Sequence, residues 1–76
     1  MKKRQRNEKL IKAVGLRLRQ LRETNGLSQE KVLFQKNIHL SRIENGYKNI
    51  TINTLVELCD SYNITLHQFF KGLEYD

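Results

Sequence analysis

Apolar residues in this chain recur with the 3.6-residue period of an α-helix, and every such run but the last is cut short by an asparagine or an asparagine–glycine pair. Leu10, Ile11, Val14, Leu18 and Leu21 share one helical face, and Asn25-Gly26 stops that run. Ser28 then stands where a helix cap belongs, with Val32 and Leu33 turned inward and Asn37 suited to a left-handed stop. A third short helix carries Leu40 and Ile43 and closes at Asn45-Gly46, and Tyr47 to Ile50 form a loop. Thr51 caps a fourth helix whose apolar face holds Ile52, Leu55, Val56, Leu58, Cys59 and Tyr62, ended by Asn63. Thr65 caps a last helix with Leu66, Phe69 and Phe70 on its apolar side, and Gly72 terminates it. No proline interrupts these runs, and no stretch alternates apolar with polar for long enough to build a sheet. The pattern predicts an all-α domain of five short helices.

Its 76 residues suffice for one small domain with a modest core, a size at which association with a second copy often adds stability. Charge is divided unevenly. Residues 1–50 carry 13 Lys and Arg against 4 Asp and Glu, whereas residues 51–76 carry 1 against 4. A basic first part suits a polyanion, and the acidic remainder is left for another contact. The expected organisation is a mobile basic arm over residues 1–7, a folded body over 8–72 and a short tail over 73–76. No apolar run approaches the ~20 residues of a membrane span, and MKKRQRNEK lacks the apolar stretch of a signal peptide. The single cysteine, Cys59, falls on an apolar helix face, where a small core residue in a reducing cytoplasm is expected. His39 and His67 have no Cys or carboxylate cluster at ligand spacing, so neither a metal nor a cofactor is expected. No nucleophile–base set and no phosphate-cradling glycine loop is present in the pattern, which argues against an enzyme.

Two helices of about two turns joined by a tight asparagine turn, behind a longer basic helix, suggest helix-turn-helix. Three segments sharpen this: Val14-Gly15-x-Arg17-Leu18-Arg19-x-Leu21-Arg22, Gly26-Leu27-Ser28-Gln29-Glu30 and Leu40-Ser41-Arg42-Ile43-Glu44-Asn45-Gly46. With Asn49-x-Thr51-Ile52-x-Thr54-Leu55 and Asn63-Ile64-Thr65-Leu66-His67-x-Phe69-Phe70, they resemble the Cro/repressor-type (XRE-like) helix-turn-helix family over residues 10–70. Phe34 and His39 add a likeness to restriction–modification controller proteins. The resemblance implies a compact repressor-like domain that binds double-stranded DNA as a homodimer and regulates transcription at an inverted-repeat operator. In one respect the chain departs from the family. The interval from Gln29 to Arg42 is about three residues short, a deficit placed between His39 and Leu40 and equivalent to ~4.5 Å of helix. It removes most of the first recognition turn, which normally faces base edges.

The resemblance carries roles onto individual residues. Gln29, behind the cap Ser28, matches a glutamine that contacts phosphate and can brace the recognition helix; its plain alternative is a solvent-facing helix residue. Arg42 is the expected base reader, because a guanidinium fork fits guanine O6 and N7, against the alternative of a surface ion pair. Ser41 and His39 are secondary contacts. Asn45, Tyr47, Lys48 and Asn49 follow the recognition helix, where amides and side chains can hold phosphates, although Tyr47 could equally pack. Arg22 and Glu44 are expected as a buried structural ion pair. Tyr62, Leu66, Phe69 and Phe70 concentrate aromatic and apolar surface in the acidic part and are expected at the dimer seam. The competing reading is a protein-interaction module, antitoxin-like or a decoy, that dimerises with an unidentified partner or itself and reads DNA poorly through its shortened helix.

Overall fold

The computed structural model describes residues 6–75 and contains five helices: α1 Glu8–Thr24, α2 Gln29–Lys36, α3 Ser41–Glu44, α4 Ile52–Ser61 and α5 Leu66–Lys71. Among the described residues there is no strand. Four of the five helices begin at a side chain that accepts an otherwise orphaned backbone N–H. Asn7 accepts from Leu10, Ser28 from Lys31, Thr51 from Thr54 and Thr65 from Gln68, whose own side chain returns a bond to Thr65. Asn37 and Asn63 turn the chain after α2 and α4 with φ of 57° and 56°, the left-handed conformation that asparagine tolerates best after glycine. Only α3 starts without a side-chain cap, because its capping position is Leu40 and the core claims that side chain.

The core consists of Leu18 from α1, Val32 from α2, Leu40 and Ile43 around α3, Leu55, Leu58, Cys59 and Tyr62 from α4, and Phe69 from α5. Val14, Leu21, Leu27, Ile38, Ile50, Ile64, Leu66 and Leu73 pack against it from the edges. Arg17 closes the far end. Its Nε donates to the Phe69 carbonyl at 3.2 Å and Nη2 to that of Gln68 at 3.2 Å, satisfying last-turn acceptors of α5.

Several expected placements change. Ile52 is 74% exposed and Val56 is also exposed, so the inward face of α4 is narrower than its apolar composition implies. Phe69 is wholly buried while Phe70 is half exposed, because neighbours on a helix point ~100° apart and cannot share one stripe. Tyr62 and Phe69, expected at a seam between subunits, lie inside the chain's own core and have no side-chain surface to offer a partner. Leu66 is half-buried against the same core, and Phe70 alone of the four is open. Residues 1–5 lie outside the described residues, but Asn7 is the cap of α1, and its Nδ2 donates to the Tyr75 hydroxyl at 2.7 Å. Leu73 packs on the core.

Candidate nucleic-acid interface

The helix that would face a nucleic acid is fixed through one carboxylate. Glu44 closes α3, and its side chain is 2% exposed. Its Oε2 accepts from Arg22 Nε at 2.7 Å; its Oε1 accepts from Arg22 Nη2 at 3.1 Å and from Gln29 Nε2 at 2.9 Å. Arg22 also donates through Nη1 to the Leu27 carbonyl at 2.7 Å. Four donor–acceptor contacts thereby lock α1, the turn before α2, α2 itself and α3 to one another. The hydrogen bond to Glu44 raises the Arg22 pKa further above its ordinary value, so the guanidinium stays charged in its half-buried place. Beneath the pair lies Tyr62, whose hydroxyl is pushed up to about 12, first by burial and then by the charge of Glu44.

Contact between α1 and α3 is closer than side chains would allow. Gly15 is buried in α1, and a Cβ there would fall on the Ile43 carbonyl oxygen and stand 3.0 Å from that of Glu44. Glycine in mid-helix is unfavourable by roughly 0.5–1 kcal/mol relative to alanine, so its presence marks the place where two backbones touch.

Beyond this support, exposed polar and basic residues alternate with buried ones from His39 to Asn49. After α2 the backbone passes Asn37 and reaches α3 through Ile38-His39-Leu40, and α3 is a single turn of 4 residues beginning at Ser41. His39, Ser41, Arg42, Asn45, Lys48 and Asn49 are all exposed, and Tyr47 is 63% exposed. Ser28 and Gln29 are exposed at the start of α2, with the Gln29 amide turned onto Glu44 as a brace. His39 and Lys48 line one cleft with Asn37, Thr51 and Thr54. Gly46, at φ 79° and tight against Lys12, gives the sharp exit from α3 into the loop. Two features here have no sequence signal of their own. Arg6 donates through Nη2 to the Tyr47 carbonyl at 3.0 Å, and Arg42 lies over the Tyr47 ring, 5.9 Å from its centroid.

A second surface is apolar. Leu10, Ile11, Ile50, Leu55, Ile52 and Phe70 line a groove of about 210 Å³ between α1, the α3–α4 loop and α4. Ile52 and Phe70 stand open at its rim, and Val56 is exposed one turn along α4. Among the described residues no group of three metal-ligating side chains comes together, and no helix is long and apolar enough to cross a membrane.

Residues 18–69 match the helix-turn-helix family. The chain is 36% identical over 62 residues to the HTH-type transcriptional regulator DdrOP3 of Deinococcus deserti, a match covering 78% of this chain and 48% of that protein. It thus spans about half the length of that curated relative. It also resembles the crystal structure of the DNA-binding domain of BldD, with a TM-score of 0.73 and 25% identity, over 84% of this chain and 97% of that one.

Proposed function

The chain belongs to the helix-turn-helix family, and from that membership we propose that it is a DNA-binding transcription regulator that reads an inverted repeat as a homodimer. The observation that carries this reading is the pairing of a rigid support with an unspent cation. Glu44, Arg22 and Gln29 fix α3, while Arg42 on the same turn is exposed and pairs with no carboxylate among the described residues. Arg42 supplies the base contact. Ser28, His39, Ser41, Asn45, Lys48 and Asn49 supply phosphate contacts, and the basic residues of the first seven add attraction without sequence preference. DdrOP3 is named a transcriptional regulator and the matched part of BldD a DNA-binding domain, in line with this reading.

The second subunit sits on the acidic side. Ile52, Val56 and Phe70 form its seam, in place of the wider set centred on Tyr62 and Phe69, and residues 8–72 carry both DNA contact and dimerisation. The single turn of α3 favours one rival, an interaction module that has kept the fold and lost base reading. A fluorescence-anisotropy titration separates the two. Binding to a random-sequence duplex should weaken with salt by about 0.9 log units per phosphate neutralised for each decade. Arg42→Ala should reduce affinity for a preferred repeat more than for random DNA, by ~1–3 kcal/mol, whereas Lys48→Ala should reduce both equally. Absence of salt-sensitive binding by the parent protein would contradict the proposal and leave the interaction module.

A further inference from the structure

We propose that Tyr47 is the positioning residue for Arg42, holding its guanidinium ready for a base edge, and that Arg6 fixes Tyr47 in turn; this rests on the DNA-reading function proposed above. Arg6, Arg17, Arg19 and Arg22 each meet a protein oxygen. Arg17 also lies over the Phe69 ring, but its donors are taken by the Gln68 and Phe69 carbonyls. Arg42 meets no protein oxygen among the described residues and has its Cζ 5.9 Å from the Tyr47 centroid. A cation–π contact takes none of the N–H donors that would fork onto guanine O6 and N7, whereas an ion pair would occupy them.

Backbone hydrogen bonds hold the ring beside Arg42. The Arg42 carbonyl accepts from Tyr47 N at 2.8 Å and from Lys48 N at 3.1 Å, so the loop that bears the ring hangs from the residue the ring supports. Arg6 Nη2 holds the Tyr47 carbonyl from the other side at 3.0 Å. The need follows from the length of α3. In this one turn of 4 residues no hydrogen bond or ion pair among the described residues steers the Arg42 side chain, and a long unsteered side chain must surrender its rotamer freedom on docking. Tyr47 limits that freedom beforehand, which aids the specific contact and leaves phosphate attraction untouched.

The test compares the parent chain with Tyr47→Phe, Tyr47→Leu and Arg6→Ala. In the free proteins, NMR should find the Arg42 side-chain protons shifted upfield by the ring in the parent and in Tyr47→Phe, and unshifted in Tyr47→Leu. Binding is then measured to a duplex recovered by selection from a randomised pool and to a random-sequence duplex. Tyr47→Leu should reduce the ratio of the two affinities about two- to fivefold, the range expected of an exposed stack, with the salt dependence unchanged. Tyr47→Phe should retain the parent ratio, and Arg6→Ala should fall between. Tyr47 is exposed, so melting temperatures should stay close to the parent's. An unshifted Arg42 in the parent, full discrimination by Tyr47→Leu, or an equal loss in Tyr47→Phe would overturn the proposal. A parent that prefers no sequence while its Arg42 shift is intact would overturn the DNA-reading function, and the proposal with it.

Discussion

Glu44 concentrates more of the site's stability than any other side chain, since three hydrogen bonds from two helices converge on a carboxylate almost closed to water. Removing one member of such a set strands the other charge. Glu44→Ala should therefore lower unfolding free energy by ~3–5 kcal/mol, against ~0–1 for an exposed pair, and the urea midpoint reports it. A shift equivalent to under about 1 kcal/mol would mean the pair contributes as a surface pair does. Tyr62 gives a second residue-scale test. Its hydroxyl has no hydrogen-bond partner among the described residues and rises from 10.0 to about 12 in the fold. Burial penalises the phenolate, so the hydroxyl leaves stability unchanged below pH 10, where both states are protonated, and stability falls as pH climbs from 10 towards 12, where only the unfolded state has lost its proton. Tyr62→Phe should be close to neutral at pH 7 and should lose less stability than the parent between pH 10 and 12; parallel losses would place the hydroxyl in water. The pairing of Arg22 with Glu44 could be anticipated from family resemblance. The turn of the Gln29 amide onto the same carboxylate, and the reach of Arg6 to the Tyr47 carbonyl, depend on tertiary approach that leaves no periodic trace.

At the scale of elements, helix ends were legible and helix faces less so. Ser28, Thr51 and Thr65 are short polar residues placed where backbone N–H groups need acceptors, and Asn37 and Asn63 adopt positive φ, so local chemistry alone marked those boundaries. Faces are decided by what packs opposite. Ile52 and Val56 match the apolar period of α4, yet no helix among the described residues covers them. Phe69 and Phe70 are equally apolar, and only geometry chooses between them. The approach of α1 to α3 is the element-scale feature that most directly positions the site. Gly15→Ala should raise helix propensity and nonetheless destabilise the protein by ~1–3 kcal/mol, because the new methyl meets the Ile43 carbonyl and must push α3 away. Thermal unfolding checks the sign, and a variant more stable than the parent would mean that α1 and α3 separate freely.

For the molecule as a whole, composition divides the surface before any coordinate is known: 13 of the 14 Lys and Arg lie within residues 1–50, and half of the 8 Asp and Glu lie beyond. The apolar strip of Ile52, Val56 and Phe70 belongs to that second part. Phe70→Asp and Ile52→Asp should each convert dimer to monomer in sedimentation and weaken DNA binding together with dimerisation. An unchanged dimer would move the seam, and a parent monomeric at high concentration would remove it. Whether this shortened helix-turn-helix chain reads DNA as a symmetric pair is decided by sequencing the duplexes the protein recovers from a randomised pool. The predicted result is enrichment of an inverted repeat whose half-sites are centred about 10 base pairs apart, or a multiple of that, as two recognition helices on one face of the duplex require. Recovered DNA no different from the input pool would contradict it.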